Sequence, residues 1–190
     1  MEYFKSYGKT NLVLEVLSKR EDGFHNISSV FCLVDIYDDI YIDLINTNKW
    51  ELILDINTNE LKRDNILFKL VNFLNDYKEL DRFSIRVKLI KNIPVGGGLG
   101  GGSANAAIVV FYLFIKKIIN LRIAKELCLK LGSDVFPIFV LYLFRIFYRK
   151  RVLVLNLSKQ DIVIPINIDF VNPYKVLFIF PSIRILSVEA

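Results

Sequence analysis

The sequence predicts an α+β fold built around one main hydrophobic core. Segments in which apolar and polar residues alternate, typical of half-buried strands, dominate the beginning of the chain, and segments with helical spacing lie between residues 65 and 131. Of the 190 residues, 53% are hydrophobic and 24% are charged. This composition suffices for one domain and the beginning of a second, and it excludes a disordered, collagen-like or linker chain.

Four strands are predicted before residue 60, at residues 1–17, 27–33, 39–44 and 50–56. The first strand enters a polar turn at residues 18–23. An acidic turn that contains Asp35, Asp38 and Asp39 separates the second strand from the third. Together these strands predict a mixed sheet.

An amphipathic helix is predicted over residues 65–77, because its apolar residues recur at helical spacing. Asp64 or Asn65 can cap its first turn. Residues 83–89 then alternate between apolar and polar side chains, which predicts a half-buried strand.

The chain beyond residue 103 predicts two helices and three strands. An alanine-rich apolar helix is expected over residues 103–119, and a second helix over 121–131 ends at Gly132. The strands are expected at residues 152–157, 161–166 and 174–180.

Two apolar runs, at residues 106–115 and 135–144, stand out in a chain whose mean hydropathy is +0.39. Both are much shorter than the ~20 apolar residues that a membrane-spanning helix needs, so they predict buried helix or strand. The N-terminal residues lack the basic start, apolar stretch and small-residue cleavage site of a signal peptide. We therefore expect a cytoplasmic protein with no membrane partner.

The cysteines and the histidine predict neither a disulfide nor a zinc site. Cys32 and Cys128 lie in apolar segments without a CxxC partner, and His25 is the only histidine. The net charge is +5, but lysine and arginine are spread along the chain. This pattern suits an anionic ligand, and it predicts no nucleic-acid partner.

The glycine-rich run at residues 93–107 is the segment that most clearly indicates a ligand-binding site. It holds six of the nine glycines within seven positions. Glycine adopts positive φ and lets a ligand approach the backbone, so that successive N–H groups can bind one anion. A helix that follows adds its own N–H groups and positive dipole end, and Ser103 can cap this helix or contact a phosphate or its metal ion. The alternative is a flexible hinge, which needs no strand before it and no helix after it.

Two familiar glycine motifs fit this run poorly. Gly96, Gly98 and Gly101 satisfy GxGxxG, but Glu126, the only acidic residue near the expected distance, lies in a helical pattern. A P-loop requires a lysine before Ser103, where a glycine stands. Neither a dinucleotide fold nor a P-loop is predicted.

The run resembles the phosphate-binding loop of the GHMP kinase family. Segments at residues 8–12, 19–25 and 131–135, together with Asp64 and Asn65, agree with that family in order and spacing. The resemblance implies a GHMP kinase N-terminal domain, similar to domain 2 of ribosomal protein S5, with only the start of a second α/β domain. It predicts an ATP-binding domain over residues 1–157 and a degenerate remnant of the C-terminal domain over 158–190.

The resemblance also implies roles for individual residues. Asp134 would accept or orient the proton of the attacking alcohol, and Lys9 would stabilise Asp134 and the charge of the transferring phosphoryl group. ATP, accompanied by Mg²⁺, would be bound by Asn65 and by Pro94, Val95, Gly96, Gly97, Gly98, Leu99, Gly100, Gly101, Gly102, Ser103 and Ala104. No protein ligand for a metal is assigned. Without the resemblance, Lys9 would be taken for a surface residue and Asn65 for a plain helix cap.

Asn11, Phe24 and His25 are the residues that the resemblance assigns to the substrate. His25 would hydrogen-bond a cytidine ring and Phe24, where the family usually has tyrosine, would stack on it. Residues 22–25 resemble the branch that phosphorylates the 2-hydroxyl of 4-diphosphocytidyl-2-C-methyl-D-erythritol in non-mevalonate isoprenoid biosynthesis. Without the resemblance, His25 would be interpreted as a turn residue.

The family pattern fades after Asp134. The family has a glycine turn there and a further glycine-rich motif in its second domain, whereas this sequence has no glycine after Gly132. Two other hypotheses therefore stay open. One is a truncated, catalytically weak or silent remnant that only binds nucleotide. The other is a basic RNA-binding domain, because the N-terminal half of the family resembles a ribosomal-protein fold.

Overall fold

The computed structural model describes residues 1–19, 25–58, 65–147, 152–157, 162–167 and 176–179. The elements in these ranges are β1 (Glu2–Lys19), β2 (His25–Asn46), β3 (Glu51–Ile56), α1 (Ile66–Leu74), β4 (Phe83–Ile90), α2 (Gly101–Ile115), α3 (Leu121–Leu131), α4 (Val135–Phe147), β5 (Val152–Leu157) and β6 (Ile162–Asn167). The predicted α+β class is confirmed.

The long strand β2 organises a six-stranded mixed sheet. On one side it pairs with β1 along almost its whole length. On the other side its first part pairs with β5 and its last part with β4, and all three pairings are antiparallel. β3 lies parallel to β4, and β6 lies antiparallel to β5. The helices α2, α3 and α4 pack together over this sheet and contribute most of the core.

The predicted acidic turn between residues 33 and 39 is wrong, because β2 continues through it. Asp38, Ile40 and Ile42 alternate along the strand and are fully buried, so the carboxylate belongs to the same face as the apolar side chains. Partners for its charge come from other elements and are described below. A buried, satisfied aspartate therefore extends the strand at a place where the local pattern indicated a turn.

The helices differ from their predicted bounds mainly at their ends. α1 ends three residues before Tyr77, and Asn65 caps it by accepting a hydrogen bond from the N–H of Leu67 at 3.1 Å. α2 begins at Gly101 rather than Ser103, and it ends at Ile115 because Lys117 turns the chain with φ of +60°. The run after Asp134 is a helix, α4.

The later part of the chain agrees in part with the predictions. β5 is confirmed, β6 begins one residue later than predicted, and residues 176–179 are not in a strand. The predicted boundary after residue 157 stays a prediction. Cys32 and Cys128 are free. Among the described residues, no helix is both long and apolar enough to cross a membrane.

Candidate active site

We call residues 94–100, which connect β4 to α2, the glycine loop. Gly96, Gly98 and Gly100 have φ of +76°, +73° and +63°, values that side chains with a Cβ rarely adopt. A Cβ built on Gly96 or Gly98 would meet no heavy atom within 4 Å. The backbone conformation therefore requires these glycines, and the space beside them is open.

The loop leads directly into the N-terminus of α2. Gly100 is the N-cap residue, and no side chain caps the helix, so the structure excludes a capping role for Ser103. The helical ladder begins with the N–H of Ala104, which donates to the carbonyl of Gly100 at 2.8 Å. The N–H groups of residues 101–103 lie before this ladder and are free to bind an anion.

The structure brings Lys9 and Asp134 together beside the loop. Lys9 Nζ lies 3.0 Å from Asp134 Oδ2, and their side chains are 10% and 24% exposed. Lys9 belongs to β1, whereas Asp134 immediately precedes α4, whose positive dipole end favours a carboxylate. Lys9 Nζ also lies 5.1 Å from the ring centre of Phe31. A lysine that the sequence pattern alone places on the surface is therefore largely buried.

Asn11 belongs to the same cluster. Its Oδ1 accepts a hydrogen bond from Lys9 Nζ at 2.8 Å, and its Nδ2 donates to Ser29 Oγ at 2.6 Å. The register of β1 against β2 shifts just before Lys9 and just after Asn11. Such bulges redirect side chains and are frequent beside active sites. Here they bracket Lys9, which contacts Asp134 and the loop, and Asn11, which contacts Lys9.

Close backbone contact fixes the loop against β1. The N–H of Lys9 donates to the carbonyl of Leu99 at 2.8 Å. A Cβ on Gly100 would lie only 3.0 Å from Lys9 Cγ and 3.1 Å from Lys9 Cε. Gly100 thus needs to be glycine both for its φ and for its distance from the lysine. Lys9, which pairs with Asp134, is therefore in direct contact with the glycine loop.

The structure does not test the ligand contacts that were predicted for three further residues. Asn65 acts as the helix cap described above, and its proximity to adenosine stays a prediction. His25 is the first residue of β2 and pairs with Lys19 through the backbone, but its side chain lies outside the described part of the structure. Phe24 also lies outside the described residues.

The described residues offer oxygen ligands for a magnesium ion that is bound together with the phosphates of a nucleotide. They contain no group of three or more His, Cys, Asp or Glu side chains that could hold a metal. Mg²⁺ typically binds through one or two carboxylates together with substrate phosphates rather than in a protein cage. Asp134, which is a quarter exposed beside the loop, and the Ser103 hydroxyl offer the oxygen ligands such an ion prefers.

A buried network under the loop escaped the sequence analysis. Asp38, Lys91 and Asn105 form hydrogen bonds with one another, and Asp38 and Asn105 are almost inaccessible to solvent. Two signals in the sequence could have found it. Asp38 alternates with the apolar Ile40 and Ile42, and Asn105 is a polar residue within an apolar helix.

Comparison with known proteins identifies the domain. The sequence profile described as GHMP kinases N terminal domain matches residues 65–140, a range that includes the glycine loop and Asp134. The fold of the chain is that of a GHMP kinase N-terminal domain. The fold class that the motifs predicted is thereby confirmed.

Curated relatives of this GHMP kinase domain agree with the predicted resemblance. A protein named 4-diphosphocytidyl-2-C-methyl-D-erythritol kinase from Francisella philomiragia is 38% identical over 143 residues, which cover 74% of this chain and 51% of the relative. A protein of the same name from Thermosipho melanesiensis is 43% identical over 138 residues, which cover 72% and 48%. The chain thus spans about half the length of the curated relatives it matches.

Solved structures show the same GHMP kinase fold. The crystal structure of a 4-(cytidine 5'-diphospho)-2C-methyl-D-erythritol kinase has a TM-score of 0.62 at 24% identity, and the match covers 87% of this chain and 55% of that chain. Galactokinase from Lactococcus lactis has a TM-score of 0.55 at 14% identity, over 88% of this chain and 47% of that one. At such identities these matches establish the fold alone.

Proposed function

We propose that this GHMP kinase domain binds ATP and transfers its γ-phosphoryl group to the 2-hydroxyl of 4-diphosphocytidyl-2-C-methyl-D-erythritol. The observation that carries the proposal is the Lys9–Asp134 pair, 3.0 Å apart, beside a glycine loop that opens onto the N-terminus of α2. The names of the curated relatives support the substrate.

Positioning and charge stabilisation supply most of the catalysis in phosphoryl transfer. The glycine loop and the N–H groups at the beginning of α2 hold the phosphates of ATP. Mg²⁺, when bound with ATP, neutralises phosphate charge. Asp134 accepts the proton of the attacking hydroxyl or orients it, and Lys9 holds that carboxylate in place and stabilises negative charge on the transferring group.

The substrate side of the site begins at Asn11. Its amide is held between Lys9 and Ser29, so its orientation is fixed before a substrate arrives. Phe24 and His25 provide the cytidine contacts in this proposal, by stacking and hydrogen bonding. In this proposal residues 1–157 form the ATP-binding domain, and residues 158–190 are a degenerate remnant of the start of the C-terminal domain.

A second candidate function is nucleotide binding with little or no turnover. It is supported by the departure from the family pattern after Asp134, where α4 is an apolar helix without the glycine turn of the family.

ADP formation distinguishes the two functions. A kinase forms ADP only when ATP, Mg²⁺ and the cytidyl substrate are all present, and Lys9→Met, which keeps the aliphatic stem, lowers that rate by a factor on the order of 100 or more. Lys69→Met, at an exposed position of α1, is the control and leaves the rate unchanged. ATP binding without ADP formation supports the second function, and absence of ATP binding contradicts both.

A further inference from the structure

A buried carboxylate under the glycine loop connects the sheet to both ends of that loop. Asp38, on β2, is 0% exposed. Its Oδ1 accepts hydrogen bonds from the N–H groups of Asn92 and Ile93, each at 2.8 Å. Its Oδ2 accepts from Lys91 Nζ and, at 3.0 Å, from Asn105 Nδ2. These four bonds use the full acceptor capacity of a carboxylate.

The partners of Asp38 lie at the two places where the loop is attached. Asn92 and Ile93 follow the end of β4 and precede the loop, whereas Asn105 lies in the second turn of α2, after the loop. Asn105 also donates to Ser6 Oγ at 2.8 Å and accepts from Lys91 Nζ at 3.1 Å. One carboxylate therefore fixes the distance between the entrance and the exit of the loop.

The position of Lys91 shows how closely this network supports the helix end. Its side chain is only 7% exposed, and its Nζ lies 3.1 Å from the position that a Cβ on Gly101 would occupy. Burying an ion pair is at best weakly stabilising compared with apolar packing, so a satisfied buried pair is poor evidence of a role in stability. The pair instead places Lys91, which follows β4, directly beside Gly101, the first residue of α2, and leaves no room there for a side chain.

We infer that Asp38 is the positioning residue of the phosphate-binding loop. By bonding to both attachments of the loop, it sets the separation at which the N–H groups of the loop and of α2 converge on one anion. It acts through Lys91, Asn105 and the backbone, and it does not contact the ligand. The inference rests on the proposed function, in which the anion is the phosphate chain of ATP.

Asp38→Asn tests this role at constant side-chain size. The amide has one acceptor oxygen, and its NH₂ group must face either the two backbone N–H groups or the donors of Lys91 and Asn105. We expect exchange of the hydrogen-bonded amides in residues 94–104, those of Gly97 and Ala104, to accelerate at least tenfold, while exchange in α3 stays within twofold of wild type. ATP affinity, measured by calorimetry, should fall at least tenfold.

Asp43→Asn is the matched control for the change of charge. Asp43 lies on the same strand, is 39% exposed, and makes a single long ion pair with Arg86 at 3.9 Å. This variant should leave both the exchange of residues 94–104 and the ATP affinity within twofold of wild type. A change equal to that of Asp38→Asn would show that any lost charge on β2 suffices, which would overturn the inference.

Asn105→Ala keeps the inference testable if Asp38→Asn does not fold. It removes the bonds of Asn105 to Asp38, Ser6 and Lys91 but leaves the bonds of Asp38 to Lys91 and to the backbone before the loop, so we expect a smaller effect, about threefold in loop exchange and in ATP affinity. Unchanged loop exchange, or exchange that accelerates equally in α3, would overturn the inference. If the wild-type chain binds no ATP, the proposed function fails, and the exchange pattern still decides the role of Asp38.

Discussion

Gly102 lies in the first turn of α2. A methyl group added there should raise the stability of the fold and weaken phosphate binding, so the two effects can be measured separately. A Cβ built at this position meets no heavy atom within 4 Å, so Gly102→Ala adds no steric strain to the unliganded protein. Alanine is favoured over glycine in a helix by about 0.5–1 kcal/mol. We expect the free energy of unfolding to rise by up to about that amount.

ATP binding should change in the opposite direction. The new methyl group would occupy the open space beside the N–H groups of residues 101–103, where we propose that phosphate oxygens bind. We expect calorimetry to show an affinity at least tenfold weaker, which corresponds to about 1.4 kcal/mol, in a protein with a higher melting temperature.

Asn72→Ala is the control for helix stabilisation without a change at the loop. Asn72 is exposed on α1, and its replacement by alanine should stabilise the helix by roughly a few tenths of a kcal/mol. ATP affinity should stay within twofold in this variant. If Gly102→Ala also leaves ATP affinity unchanged, phosphate does not bind at this end of α2, and the reasoning from the open space is refuted.

Gly100→Val puts a branched side chain at a φ of +63° and 3.0 Å from Lys9 Cγ, so we expect a lower melting temperature and no ATP binding detectable by calorimetry; wild-type affinity would contradict the assigned loop geometry. His25→Ala should raise the KM for the cytidyl substrate while leaving the KM for ATP within twofold, and equal changes in both would count against its place on the substrate side. Burial raises the pKa of the Cys32 and Cys128 thiols, which lowers the thiolate fraction at pH 8. A thiol reagent at that pH should therefore modify Cys32 more slowly than free cysteine and Cys128 only after unfolding, and fast modification of both would contradict the described packing.

Local patterns predicted the elements whose signals are contained within one segment. The helix at α1 has apolar residues at helical spacing and a capping Asn65, and α3 ends at Gly132, so both were placed within a few residues. The position of the glycine loop was predictable from composition, because six of the nine glycines lie between a predicted strand and a predicted helix.

The features that were missed depend on partners far away in the sequence. The acidic residues of β2 look like a turn because the donors that satisfy Asp38 come 53 to 67 positions later. The proximity of Lys9 and Asp134 could not follow from spacing either. It was expected only from the resemblance to GHMP kinases, since periodicity does not show which distant side chains meet.

The turnover of the Asp134→Asn variant tests the central claim most directly. The substitution keeps the size of the side chain and removes the carboxylate that faces Lys9, while Lys9 retains its hydrogen bond to Asn11. Single-turnover ADP formation, with the protein in excess over ATP and saturating cytidyl substrate, should slow by a factor on the order of 100 or more, with ATP affinity within twofold of wild type. Asp76→Asn, at a 66% exposed side chain, should behave as wild type. Unaltered ADP formation in Asp134→Asn would contradict the claim that the Lys9–Asp134 pair is the phosphoryl-transfer site.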